Sequence, residues 1–278
     1  MTKPKHPSIE ALMEEYAIHG EKPADVIRRK CRKIISTCKK LGWSGPPYNV
    51  EILASILKFE LFPTTDIIKE GFITCYKDRF KIYYRTDRPL ERKRFTICHE
   101  ITHALFPDCF APYHSGDLVI DDKPLEKLCD IGAAELLMPY EDILNDLSSE
   151  KLILKKIFEM HKRYIVSFES LTFRITELTD KPIAFAFLDE ETILGKKRYR
   201  IRYQNKSKSF RQYFPSNKIL LSSNTIANIA KFEPYDFQKY KETLYINSTP
   251  RGYYVEPLLL ESINNSPCAV LMLHSRLP

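Results

Sequence analysis

The chain lacks several features that would place it in a membrane or outside the cell. No stretch of 18 apolar residues occurs, so no segment is long enough to form a transmembrane helix. The N-terminus, residues 1–7, lacks the apolar run of a signal peptide. The seven cysteines are an odd number, and no two of them form a Cys-x-x-Cys pair. We therefore expect a reduced, soluble, cytoplasmic protein without membrane attachment.

Internal repeats and low-complexity tracts are also missing, and the composition is that of a folded protein. Of the 278 residues, 44% are apolar and 12% aromatic, which supports a sizeable core and argues against global disorder. This length suits one large domain or two smaller ones. The net charge of +7 permits an acidic partner or a nucleic acid but requires neither.

One short motif carries the chemistry, and it reads His99-Glu100-Ile101-Thr102-His103. If this His-Glu-x-x-His stretch is helical, the two histidines lie one turn apart on the same face and can bind one Zn²⁺. Glu100 can then reach a water on the metal and accept its proton, which yields a hydroxide for attack on a carbonyl. The motif alone is only moderately specific, and a buried polar cluster without metal is the alternative.

A third ligand distinguishes these two readings, and the carboxylates downstream of the motif are the candidates. They are Asp108, Asp117, Asp121, Asp122, Glu126, Asp130 and Glu135. Glu126 and Asp130 are four residues apart in a predicted helix, 125–138, so they share a face. Glu126 can complete a site of two histidines and one glutamate, which leaves the fourth zinc position for water. Asp130 can accept a hydrogen bond from a ligand histidine, whereas Glu135 is expected to be a surface or packing residue.

Two blocks of the sequence resemble the ImmA/IrrE family of cytoplasmic zinc metallo-endopeptidases. Residues 94–103, Arg-Phe-Thr-Ile-Cys-His-Glu-Ile-Thr-His, are similar to the family's R-F-T-x-A-H-E-x-x-H. Residues 126–139 are similar to its E-x-x-A-N-x-F-A-A-E-L-L-M-P. Two blocks at the expected separation are far more specific than the first motif alone. The resemblance covers roughly residues 26–178.

Residue by residue, the resemblance implies that His99, His103 and Glu126 bind one Zn²⁺ per chain and that Glu100 is the general base. Family members are regulatory proteases that cleave, or otherwise release, a helix-turn-helix repressor and so induce stress or mobile-element genes. The implied partner is such a transcriptional repressor. The alternative is a non-proteolytic regulator that binds a repressor or DNA and has a structural or vestigial zinc site.

In the second block, three residues depart from the family's pattern. Cys129 and Asp130 stand where the family more often has Ala and Asn, and Gly132 stands where it has Phe. None of them is an implied zinc ligand. Cys129 is expected to belong to the core, and Gly132 predicts a thinner core beside the site.

The long irregular stretch after the motif offers two further candidates. His114 could polarise a substrate carbonyl or stabilise the oxyanion that forms during hydrolysis, and Tyr113 could contact substrate in the same way. Solvated loop residues are the alternative for both.

The predicted elements form an α+β fold in three parts. Residues 1–22 are an N-terminal extension, and residues 23–180 a zincin-like metallopeptidase domain, in which a small sheet precedes the helices that carry the motif and the third ligand. Its helical pair at 150–178 is similar to a helix-turn-helix, but an αα-hairpin that buttresses the domain is favoured over DNA binding. Residues 181–278 are predicted to be a mostly β C-terminal domain of unknown role. Its run 196–203 alternates basic and apolar residues, so one face of that strand could dock an acidic protein or a nucleic acid.

Overall fold

The computed structural model describes residues 6–76, 79–108, 122–148, 152–211, 240–246, 249–260 and 269–274. Within these ranges the chain is a mixture of helices and sheets, as the predicted α+β class requires. The chain divides into two compact units. The first comprises Met1–Asp142 with Lys162–Ser167, and the second comprises Ile143–His161 with Phe168–Pro278. The domain boundaries proposed from the sequence stay predictions.

Eight helices occur among the described residues. They are α1 (Pro7–Tyr16), α2 (Pro23–Lys40), α3 (Val50–Ile56), α4 (Leu90–His103), α5 (Lys123–Leu137), α6 (Tyr140–Ser148), α7 (Leu154–Tyr164) and α8 (Phe168–Leu178). Their ends follow local capping chemistry. Pro23 occupies the first turn of α2, where its missing N–H costs nothing. The Asn49 side chain accepts a hydrogen bond of 2.7 Å from the Ile52 N–H and so caps α3.

The first unit contains a three-stranded sheet that packs against the helix carrying the His-Glu-x-x-His motif. Its strands are β1 (Phe59–Thr64), β2 (Gly71–Tyr76) and β3 (Arg79–Arg85), in the order β1-β3-β2. Strands β2 and β3 pair antiparallel and form a hairpin, while β1 joins β3 in parallel. Helix α4 lies against β2 and β3. Strand β2 is an edge strand of this sheet and lies beside the motif.

A glycine allows α4 and α5 to approach each other closely. A Cβ added at Gly132 of α5 would overlap the side chain of Thr102 on α4, and even the Thr102 Cβ would be only 3.0 Å away. The Gly132 carbonyl lies 3.8 Å from the Cys31 Sγ of α2, so α5 is held between two helices here. The expectation of a thinner core at this position is therefore wrong. The small residue closes the helix contact, and a phenylalanine would not fit it.

Replacing Gly132 with alanine tests this contact through the sign of the stability change. Helix propensity alone predicts a gain of about 1 kcal/mol, because alanine is the better helix former. The overlap with Thr102 predicts a loss of about 1–3 kcal/mol. We expect the loss in urea unfolding and its partial recovery in the double variant Gly132→Ala/Thr102→Ala. A Gly132→Ala protein more stable than the wild type would contradict the close packing.

The second unit contains a five-stranded antiparallel sheet. Its strands are β4 (Ile183–Ile193), β5 (Lys196–Lys206), β6 (Tyr240–Ile246), β7 (Thr249–Leu259) and β8 (Ala269–His274), in the order β5-β4-β8-β7-β6. The inward-facing residues of β4 and β8 are fully buried, and Tyr253 and Val255 of β7 join the same core. Helix α8 packs on β4 and β5, where the Asn205 side chain donates to the Thr172 hydroxyl at 3.2 Å.

Basic residues of this unit are less available than the sequence suggested. On β5, Arg200 pairs with Glu191 at 2.7 Å and Arg202 approaches Asp189 at 3.5 Å, so acidic residues of β4 offset the basic face. On α8, Arg174 is only 2% exposed and pairs with Glu177 at 3.1 Å. Its burial makes it unavailable for a phosphate contact and agrees with a packing role for α8.

None of the helices in the described ranges is long and apolar enough to cross a membrane.

Candidate metal centre

The motif histidines lie at the C-terminal end of α4 on one face of the helix. Their ring centroids are 5.0 Å apart, and the side chains of His99 and His103 are 15% and 18% exposed. From Arg94 onward most of the helix is buried, with Ile97, Cys98 and Ile101 in the core. The helical geometry that the motif requires is thus present, with both imidazoles reaching the surface of the first unit.

Helix α5 brings a carboxylate to both imidazoles. Glu126 Oε2 lies 3.0 Å from His99 Nε2, and Glu126 Oε1 lies 3.6 Å from His103 Nε2. One turn further along α5, Asp130 Oδ1 accepts a hydrogen bond of 2.9 Å from His99 Nδ1. Asp130 therefore directs the Nε2 atom of His99 toward Glu126. These four residues are the ones that the sequence grouped by spacing.

The other carboxylates considered from the sequence do not join this cluster. Asp122 instead lies 3.3 Å from His6 Nε2. Glu135 is completely buried and accepts from Arg32 Nε at 3.0 Å and from the Tyr140 N–H at 3.3 Å, so it is a packing residue. Five of the sequence candidates lie outside the described residues or bear no described contact to the cluster. Outside are Asp117, Asp121, Tyr113 and His114, and without such a contact is Asp108.

Cys129 of α5 is a neighbour of the histidines to which the sequence assigned no chemical role. One donor atom each of His99, His103 and Cys129 lie within 4.8 Å of one another, and Cys129 is completely buried. Helical spacing could have indicated that Cys129 lies near the histidines, because residue 129 follows Glu126 by three positions and so shares its face. The departure from the family's alanine was the second sign.

Glu100 lies buried beside the cluster, with 6% of its surface exposed. Burial raises the pKa of this carboxyl to about 7, although the positive charges of His99 and Lys69 and the Ile73 N–H act in the opposite direction. Strand β2 passes close by: a Cβ at Gly71 would lie 3.5 Å from Glu100 Oε1. A carboxyl with a pKa near neutrality is suited to both accepting and returning a proton.

The two histidines differ in their affinity for protons. Burial alone would lower the pKa of His99, but hydrogen bonds to Asp130 and Glu126 outweigh it and raise that pKa to about 9. Burial and the neighbouring charge of His99 lower the pKa of His103 to about 4. The hydrogen bond from His99 lowers the pKa of Glu126. Because zinc binds the neutral imidazole, metal binding is expected to release a proton from His99.

The donor set indicates which metal the cluster suits. Two imidazole nitrogens with one carboxylate are the donors of catalytic Zn²⁺ sites, whereas Mg²⁺ and Ca²⁺ prefer sites built from oxygen alone. A nearby thiol strengthens the preference for zinc over the harder cations. The residues present therefore fit a zinc ion.

Arg94 fixes the other half of α4 within the first unit. Its side chain is buried and donates to the carbonyl oxygens of Tyr48 at 2.9 Å, Ile165 at 3.1 Å and Tyr164 at 3.4 Å. Burial lowers the pKa of this guanidinium. Ile165 has a φ of +50°, a strained value for a β-branched residue, so the hydrogen bond from Arg94 helps to hold a costly turn.

Arg94→Met is expected to destabilise the protein by about 2–4 kcal/mol, because three buried carbonyl groups lose a charged donor. Arg92→Met on the same helix is the matched control. Arg92 is 55% exposed, with its nearest carboxylate oxygen, on Glu70, at 3.6 Å, so its loss should change stability by less than about 0.5 kcal/mol. Equal urea midpoints for the two variants would show that Arg94 does not anchor α4.

Over the segment that contains these residues, the chain is similar to known peptidases. Residues 74–176 match a peptidase family described as the IrrE N-terminal-like domain. The radiation response metalloprotease IrrE of Deinococcus deserti is 36% identical over 102 residues, which cover 34% of this chain and 36% of that protein. Its namesake in Deinococcus radiodurans is 33% identical over 102 residues, covering 34% of this chain and 30% of that protein. The chain thus spans about a third of the length of these curated relatives.

A solved structure extends the likeness of fold beyond that segment. A Mycobacterium tuberculosis transcriptional regulator superposes with a TM-score of 0.52, covering 95% of this chain and 90% of its own. The two sequences are 11% identical, so this likeness concerns the fold alone.

Proposed function

We propose that this chain, whose residues 74–176 belong to the IrrE N-terminal-like peptidase family, is a cytoplasmic zinc-dependent endopeptidase with a zincin-like catalytic domain. The observation that carries the proposal is the convergence of α4 and α5. They bring Glu126 to 3.0 Å and 3.6 Å from the Nε2 atoms of His99 and His103, with Glu100 buried alongside. We assign the three converging residues as zinc ligands and Glu100 as the general base.

Each residue has a distinct task in peptide hydrolysis. A bound Zn²⁺ would polarise the scissile carbonyl and lower the pKa of a water to about 7. Glu100 accepts the proton of the attacking water and passes it to the leaving amine, for which a pKa near neutrality is well matched. Asp130 holds the Nδ1–H of His99, so that Nε2 is the atom available for the metal.

The substrate that we propose is a helix-turn-helix transcriptional repressor, whose cleavage would induce stress genes. The family resemblance supports this substrate class, and the curated relatives bear the name of radiation response metalloproteases. Those relatives match over only a third of their length, so the substrate is inferred for this chain. For the second unit, with its β sheet, we propose a role in substrate docking or sensing.

Capture of the substrate by an inactive variant tests this function. Glu100→Gln should retain the repressor in a pull-down, and wild-type protein should then cut the captured repressor into fragments. A chelator should stop the cutting, and added Zn²⁺ should restore it. A repressor that binds both proteins equally and is never cut would favour the alternative, a non-proteolytic regulator with a structural or vestigial zinc site.

A further inference from the structure

The thiol of Cys129 faces the same histidines as the carboxylate of Glu126. Donor atoms of His99, His103 and Cys129 lie within 4.8 Å of one another. Around a tetrahedral zinc, with bonds of about 2.0–2.3 Å, ligand atoms lie about 3.3–3.6 Å apart, so a small side-chain movement brings the sulfur into bonding range. Cys129 therefore belongs to a group of potential ligands rather than standing as an isolated cysteine.

The positions of the two α5 donors differ in a way that matters for the site. Glu126 lies in the first turn of α5 and its side chain is half-exposed, whereas Cys129 is completely buried one turn deeper. The imidazoles are thus approached by a carboxylate from the solvent side and by a thiol from the interior. Together with the histidines, these donors are four protein groups, and both α5 donors lie near the same two imidazoles.

Four protein ligands close a zinc site, whereas a catalytic site keeps one position for water. We propose that Cys129 is a reversible fourth zinc ligand, which closes the site at rest and must leave before peptide hydrolysis. This inference rests on the proposed function. Rotation of Cys129 between the two χ1 wells that a helix allows is the motion that would open the site. The resembling family more often has alanine here, so this restraint would not be general to that family.

Cys98 offers a matched control for this role. It adjoins His99 in sequence and is also completely buried, but it does not belong to the group of potential ligands. Alanine at either position removes one buried thiol, but only alanine at Cys129 removes a donor from the site.

Substitution of zinc by Co²⁺ in the full chain makes a sulfur ligand visible, because a thiolate on Co²⁺ produces a charge-transfer band in the near ultraviolet. We expect this band in the wild type and in Cys98→Ala, and its loss in Cys129→Ala, with one Co²⁺ bound to each of the three proteins. In the zinc-loaded form, kcat/KM of Cys129→Ala should rise about tenfold if the thiol closes roughly nine sites in ten. Cys98→Ala should match the wild type.

The outcomes separate this inference from the function on which it rests. One Co²⁺ per chain without the band in the wild type would overturn the role of Cys129 and leave the peptidase proposal intact. A band that survives in Cys129→Ala would also overturn it. Failure of the wild type to bind stoichiometric metal would overturn both.

Discussion

Glu100→Gln is expected to lower kcat/KM for the cognate repressor by about 10²–10⁴-fold while the protein keeps one zinc per chain. The amide is nearly isosteric with the carboxylate but cannot accept the proton of the attacking water. Glu100 is not among the proposed ligands, so metal content should be unchanged. The measurement is cleavage rate alongside zinc content by mass spectrometry of the same preparation.

Glu91→Gln is the control for this substitution, since Glu91 lies in the first turn of the same helix, far along α4 from the motif. It should cleave at the wild-type rate. If Glu100→Gln retained both zinc and full activity, the carboxylate would not be the general base.

Substitutions on α5 should weaken zinc binding in a graded order. Glu126→Ala removes a proposed ligand and should reduce zinc affinity by more than about 100-fold, a larger effect than the 10–100-fold expected when a residue that orients a ligand is lost. Asp130→Ala falls in that lower range. Asp130→Asn should have the smallest effect, because its side-chain oxygen can still accept the hydrogen bond from His99 Nδ1. Competition titration with a chromogenic chelator measures all three.

Thermal unfolding provides an independent readout of the same series. Zinc at about 1,000 times its Kd should stabilise the wild type by about 4 kcal/mol, and a variant that does not bind should show no zinc-dependent shift. If Glu126→Ala kept wild-type affinity while Asp130→Ala lost it, the third ligand would be Asp130, and Glu126 would be only an exposed neighbour.

The elements of the fold follow from local patterns in the sequence. Apolar residues at helical spacing, with Pro23 and Asn49 as end signals, are sufficient to predict α2 and α3, since these signals act over a single turn. The hairpin of β2 and β3 was equally clear, from two β-prone runs around a short polar turn.

The part of the candidate site that could be predicted is the set of residues that share a face of one helix. His99 and His103, and likewise Glu126 and Asp130, are pairs four residues apart, so each pair had to share a face if its helix formed. Which faces of α4 and α5 contact each other depends on tertiary packing, which spacing along one helix does not reveal. Gly132 was misjudged for that reason, because its value depends on Thr102 across the helix contact.

Burial of polar groups was the other property that the sequence concealed. An arginine is ordinarily found at the surface, yet Arg174 is buried in the second unit. Cys129 looked like a core residue, which it is, but its sulfur also faces the imidazoles. A side chain's type sets its chemistry, whereas its neighbours decide whether that chemistry is used.

Anomalous diffraction at the zinc edge, from crystals of the full chain grown with zinc, tests the central claim most directly. The account predicts one strong anomalous peak per chain, within about 2.0–2.2 Å of the Nε2 atoms of His99 and His103 and of a Glu126 oxygen. A peak located elsewhere, or no peak at these residues in protein that contains stoichiometric zinc, would contradict it.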